Sequence, residues 1–268
     1  MSDLISNDVT ILFCSCDVYS DLWENFFMLL KKYWPEYDGE VILNTETKKF
    51  QYDGFCISGP LNCGSDVSWS DRLSLSLKRV KTPYVLIFLD DFYLKSPVNH
   101  NGFAKTVDYM KSYHEVAAIT YLKEPGGRKY IPDLDGFVQR AQCALYKMTA
   151  HITLYRTAYL QSVLKHNESA WEFEVNGTIR SWFKKGTFLC PVNNEKAIFP
   201  YDFEGWSLCV KGKFYGPVKR YFEEKEGLKF YEERETIEVL PQGSGGTFTK
   251  KLQYLCKGLI SIFKKRAL

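Results

Sequence analysis

Two adjacent carboxylates, Asp90 and Asp91, end the apolar run "YVLIFL", and the chain turns apolar again directly after them. Neighbouring anions repel, and taking even one out of water is costly, so a pair at the mouth of a buried strand calls for a positive partner. A hard divalent cation, Mg²⁺ or Mn²⁺, needs only one or two carboxylates when substrate phosphates complete its shell. The alternative reading is a pair that caps the next helix or meets Lys and Arg. A second acidic position, Asp17, follows the run "VTILFCSC" with Ser15 two residues before it. On the residues alone it reads as an acid at a helix N-terminus, complementing the dipole. "SAWEFE" offers Glu172 and Glu174. Ser169 with Glu172 three residues on spells a capping box, which gives Glu172 a structural task. Glu174 has none, and it sits at the rim of a stripe formed by Trp171, Val175 and Trp182. A partly desolvated carboxylate there can take a proton from a hydroxyl.

The elements that must position these groups follow from periodicity. Residues 9–16, 40–44, 84–89 and 116–120 read as buried strands. Between them lie helical spacings: Leu22, Trp23, Phe26, Phe27, Leu30, Tyr33 and Trp34 with Ser20 as N-cap and Pro35 as stop, then Trp69, Leu73, Leu77 and Val80, then a helix over 101–112. The alternation predicts an α/β fold with a mixed, mostly parallel sheet flanked by helices. In such sheets ligands bind at the carboxyl ends of the strands, so the loops after residues 14 and 89 should share a crevice. The second half is less regular: 144–156 reads as one long strand with His151 as a core histidine inside it, 157–165 as a helix, and 169–185 as another with Trp171 in its core.

The run "WSDRLSLSLKRVKTPYVLIFLDDFYL" resembles bacterial GT-A-type glycosyltransferases that use nucleotide-diphosphate sugars. The resemblance covers about the first 180 residues, and "KGKF" near 211 more loosely. It implies that Asp91 ligates the metal and that Asp90 works near the ribose or through a metal-bound water. Ser15, Asp17, Asp66 and Arg72 would line the nucleotide, and Glu174 would be the base of an inverting transfer. Lys211 and Lys213 match only loosely and read as an exposed turn. One departure matters: where a full D-x-D has its first acid, this chain has Leu89. The implied donor is a nucleotide sugar, a UDP-sugar first among them. The implied acceptor is a glycan or lipid-linked hydroxyl in bacterial surface-polysaccharide synthesis.

Rival readings are a sugar nucleotidyltransferase, an aspartyl-nucleophile phosphatase and a non-catalytic carbohydrate-binding or assembly protein. The first is disfavoured because "CSCDVYSD" carries no glycine or basic residue, the second because its nucleophile follows the first strand.

Of 268 residues, 45% are hydrophobic and 25% charged, as in ordinary globular proteins. The net charge is +3, yet "TKKLQYLCKGLISIFKKRAL" alone carries six Lys/Arg and no acid, which leaves the rest at −3. The basic character therefore belongs to the tail, and the body offers no nucleic-acid-binding face. The expected organisation is a domain over 1–240, with a nucleotide half to about 125 and an acceptor half beyond. A linker over 241–247 and a basic amphipathic helix over 248–268 follow. Leu252, Leu255, Leu259, Ile260 and Phe263 share one face of that helix, which suits an anionic membrane surface or packing on the chain's own domain. Eight scattered cysteines without a C-x-x-C pair read as reduced, mostly buried thiols. With no basic flank and apolar run of a secretory signal at the start, the expected location is the cytoplasm or the inner face of the cytoplasmic membrane.

Overall fold

The structure, a computed structural model, describes residues 3–195, 197–201, 207–231, 233–240 and 256–267. The chain begins with α1 (Asp3–Asp8), β1 (Val9–Cys14), α2 (Trp23–Tyr33), β2 (Glu40–Asn44) and β3 (Cys56–Ser58). It continues through α3 (Trp69–Leu77), β4 (Tyr84–Leu89), α4 (His100–Ser112) and β5 (Val116–Thr120). A hairpin of β6 (Gly127–Tyr130) and β7 (Phe137–Arg140) follows, then β8 (Thr153–Arg156), α5 (Thr157–Val163), α6 (Ala170–Glu172), α7 (Thr178–Trp182) and β9 (Thr187–Pro191). The last part holds β10 (Cys209–Val210), β11 (Lys213–Tyr215), α8 (Gly216–Glu226), β12 (Thr236–Ile237) and a short helix α9 over 256–261.

Nine strands form one sheet in the order β3-β2-β1-β4-β8-β5-β9-β7-β6, and β10-β11-β12 form a small second one. β3, β2, β1 and β4 run parallel, and β8 is inserted antiparallel between β4 and β5. The fold is thus mixed α/β, with a large sheet flanked by helices and a C-terminal helix, as expected from the alternation. Side chains of β1 and β4 alternate between two cores. Phe13 and Phe88 face one packed by α2, α4 and α8, while Leu12 and Ile87 face the other, packed by α3 and α5. Burial on both faces is why these strands read as unbroken apolar runs. The chain leaves β1 toward β2 on one side, and β4 lies on the other. The loops after β1 and β4 therefore flank a switch point in strand order, where open α/β sheets bind ligands.

Four expectations need correction. Residues 144–156 are not one strand: only Thr153–Arg156 is, because the preceding backbone groups are held by side chains instead of a ladder. Arg140 donates to the Tyr146 carbonyl at 2.8 Å, Tyr146 takes a left-handed φ of 51°, and Glu174 accepts from Ala150 N at 2.8 Å. His151 accordingly lies outside the strand. Ser20 does not cap α2: a 3-10 turn over Asp17–Leu22 comes first, and the Ser20 hydroxyl accepts from Lys48 Nζ. The helix expected over 169–185 is interrupted by a π turn at Phe173–Gly177, and Trp171 is 53% exposed, not core. The cysteines are free, but only Cys14, Cys190 and Cys209 are buried, while Cys56, Cys143 and Cys256 are exposed.

Ser68 caps α3 and Ser169 with Glu172 makes the expected capping box. The linker over 241–247 and residues 248–255 of the tail, with Leu252 and Leu255, lie outside the described residues. No described helix is long and apolar enough to cross a membrane.

Candidate active site

Register builds the site. β1 pairs with β4 so that Cys14 faces Leu89, which sets the next residues, Ser15 and Asp90, side by side. The Ser15 hydroxyl donates to Asp90 Oδ2 and accepts from the Trp23 indole Nε1 at 2.7 Å. Asp90 is 7% exposed. Its neighbour Asp91 is held from the far end of the chain: Ser207 Oγ donates to Asp91 Oδ2 at 2.7 Å, and Leu208 N donates to the Asp91 carbonyl at 3.0 Å.

Burial pushes the Asp90 carboxyl well above the usual carboxylate range, and the charge of Asp91 pushes it further. Burial also lifts Asp91, to about 6, against hydrogen bonds that favour its anion. Among the described residues neither forms an ion pair with Lys or Arg. Arg234 contributes a favourable field at a distance, but its guanidinium is committed to Asp21, at 2.7 and 3.1 Å, and to the Gly212 carbonyl at 2.8 Å. It also lies over the Tyr19 ring, 4.4 Å from the centroid, and so joins the 3-10 turn to the small sheet.

The nucleotide side is a chain of contacts. Asp17 accepts from Thr47 N and Lys48 N, each near 3.1 Å. Burial works against that anion, but these hydrogen bonds prevail and hold its carboxyl below its ordinary value. Asp17 N donates to Glu46 Oε2 at 2.7 Å, and the other oxygen of Glu46 takes the Arg72 guanidinium. Arg72 is buried, and its Nε has no partner among the described residues. The buried Thr45 hydroxyl, at the end of β2, also lacks one. Asp66 is exposed in the turn before α3, and no described residue forms a hydrogen bond or ion pair with it. Lys211 lies in a turn with φ 51°, and Lys213 pairs with Glu235 at 2.8 Å on the surface.

The third wall comes from β8. Because Thr153 pairs with Ile87 and with Thr120, the loop before β8 sits at the ends of β4 and β5. His151 Nε2 meets Glu124 Oε1 there at 2.8 Å, and the His151 ring stands 6.5 Å from that of Phe92. Glu174, at the π turn, accepts from Ala150 N at 2.8 Å and Thr149 Oγ1 at 3.1 Å, both through Oε1. Among the described residues no hydrogen bond reaches its Oε2.

The structure thus joins Ser15 to Asp90, Asp17 to Arg72 through Glu46, and Glu174 to the loop before β8, with Asp66 in the turn before α3. Sequence reading missed Glu46, Trp23, Ser207, Arg234 and the Glu124–His151 pair. Glu46 was within reach, since it follows a strand at the same edge as Asp17; Ser207 and Arg234 carry no local signal at all. No cluster of three or more His, Cys, Asp or Glu side chains arranged for a metal occurs among the described residues. Two buried, uncompensated carboxylates still fit a hard cation that shares its shell with phosphates. A cleft of about 970 Å³ between α4 and the β6–β7 hairpin is lined by none of these residues.

No family model matches the chain, and no curated protein matches it in sequence. Distant likenesses of fold occur among solved structures. S. aureus TarS 1-349 in complex with UDP-GlcNAc is 12% identical with a TM-score of 0.49, over 71% of this chain and 57% of that one. A mycobacterial protein is 10% identical with a TM-score of 0.44, over 70% and 66%. The bifunctional IspDF from Campylobacter jejuni is 14% identical with a TM-score of 0.37, over 72% and 52%. The chain spans less than two thirds of each, and likenesses this distant carry no weight for activity. Fold and site define a mixed α/β protein with an acid-lined crevice at a switch point.

Proposed function

We propose that the chain is a glycosyltransferase that takes a sugar from a nucleotide diphosphate, UDP first among the nucleotides, and passes it to a hydroxyl of a glycan or lipid-linked glycan. The observation that carries this reading is the Asp90–Asp91 pair: buried, adjacent and, among the described residues, without a cationic partner at the switch point. The setting in bacterial surface-polysaccharide synthesis rests on the resemblance of residues 69–94 to GT-A-type enzymes.

Asp91 and Asp90 would hold a Mg²⁺ or Mn²⁺ ion, which when bound would offset charge growing on the departing diphosphate. Ser15 fixes Asp90 through its hydroxyl, so its role is to position the acid rather than to touch ribose. Asp17, Glu46 and Arg72 frame the nucleotide side, and the unpartnered Arg72 Nε and Thr45 hydroxyl leave polar capacity there. Glu174 is suited to the base of an inverting transfer: one oxygen is locked to the 149–150 loop, and the other is left to accept the proton of the acceptor hydroxyl. The transition state is oxocarbenium-like, as in glycoside hydrolysis.

Titration calorimetry with UDP, with and without Mn²⁺, tests the reading. Metal-dependent binding is expected, weakened at least about tenfold in Asp91→Asn by loss of a charged ligand. Glu174→Gln should keep nucleotide affinity and lose transfer. Binding indifferent to metal would instead fit a non-catalytic protein, and a Glu174→Gln variant that transfers at the parent rate would remove the base from Glu174.

A further inference from the structure

The α9 helix is docked with its apolar side outward. Hydrogen bonds from Ile262, Phe263 and Lys264 N to the carbonyls of Leu259, Ile260 and Ser261 extend it by a further turn. At about 100° per residue, Leu259, Ile260 and Phe263 fall in one arc, Lys257 and Lys264 beside it, and Gly258 and Ser261 opposite. A helix held by hydrophobic burial turns its apolar arc inward. Here the small arc is inward. Gly258 lies so close to Ile179 that a Cβ would collide, and the buried Ser261 hydroxyl accepts from Arg180 Nη1 at 2.8 Å. Lys165 Nζ to the Lys264 carbonyl, at 2.8 Å, and His166 N to the Lys265 carbonyl, at 2.9 Å, secure the far end. The apolar arc is left in solvent, with Ile260 66% and Phe263 89% exposed.

A further exposed aromatic lies at the end of α7. Phe183 lies one turn beyond Ile179 on the same helix side and is 69% exposed, and Lys184 and Lys185 follow it. Trp171, in α6, is also exposed, at 53%. Lys257 and Lys264 border the apolar arc, Lys265 and Arg266 follow in sequence, and residues 256–267 contain no acid.

We propose that this face binds an anionic lipid bilayer, with α9 lying in the interface plane, Ile260 and Phe263 at the acyl boundary and the surrounding cations among the headgroups. An apolar arc in a basic rim is what such a surface selects. A second copy of the same face would bring like charge onto like charge, which disfavours self-association. The lipid-binding inference itself stands without the assignment of activity.

Sedimentation of the full chain with vesicles tests it, using phosphatidylcholine alone and phosphatidylcholine with about one third phosphatidylglycerol. Binding to the anionic vesicles alone is expected, weakening as salt is raised. The double substitution Ile260→Ser, Phe263→Ser should lower partitioning at least about tenfold, since both side chains would leave the acyl boundary, while the melting temperature stays at the parent value. No binding to anionic vesicles, or parent-like binding by the double variant, overturns the proposal. So does a dimer, seen by light scattering, that the same substitutions dissolve.

Discussion

Two buried charge centres in this molecule are built on opposite terms. At Glu168 and Arg180 every need is met: Nη1 and Nη2 of Arg180 reach the two carboxylate oxygens at 2.8 and 2.7 Å, Nε reaches the Val163 carbonyl at 2.9 Å, and Asn176 adds a donor to Glu168 at 3.0 Å. At Asp90 and Asp91 two like charges stand together with hydroxyl donors and, among the described residues, no counter-ion. The first arrangement is complete and holds α7 to its neighbours. The second is satisfied only when something positive arrives. The difference separates charge used for architecture from charge held ready for a ligand.

Substitutions should split the two centres by sign. Arg180→Met leaves Glu168 buried without a partner and should cost about 3–5 kcal/mol, measured by denaturant unfolding. A loss under about 1 kcal/mol would mean that the pair is not structural in this sense. Lys147 provides an intermediate case: a buried cation without a carboxylate, it donates to the Gln142 carbonyl at 3.0 Å and stands over the Phe188 ring. Burial pushes its pKa down from 10.5 to about 8, with Arg140 adding to the shift. Between those values the unfolded chain binds more protons than the folded one, so stability rises with pH through that window. Lys147→Met should flatten the rise and increase stability at neutral pH, read as melting temperature against pH. Asp91→Asn should have the smallest effect on metal-free stability, a change within about 1 kcal/mol and in the stabilising direction, because it removes a like charge from a desolvated pair. A destabilisation as large as that of Arg180→Met would place the acids with the architecture and undo the contrast.

The parallel half was readable because β1, β2 and β4 are buried on both faces and the helices between them carry unambiguous stripes. Parallel register then placed Ser15 beside Asp90 with no further information. The Asp90–Asp91 pair stood out for the same reason: charge directly after a doubly buried strand is locally anomalous. The other half hid its structure. The 144–150 segment alternates like a strand, yet its backbone groups go to Arg140 and Glu174, contacts that no local pattern encodes. The π turn at Phe173–Gly177 looked helical because it is helical in composition. Trp171 seemed to belong to the stripe until that turn re-aimed its helix. Glu174 stood out by its place beside the stripe, but its hold on Ala150 was invisible, since the partner lies 24 residues away.

Ser207 reaches Asp91 across 116 residues, and Arg234 reaches Asp21 across 213. The acid step is therefore written early in the chain and dressed by its last quarter. As a polypeptide emerges from the ribosome, its leading half can close around β4 while Asp91 still has no hydroxyl donor. The crevice acquires its finished form only once the small sheet has been delivered, which ties a usable acid step to a nearly whole chain.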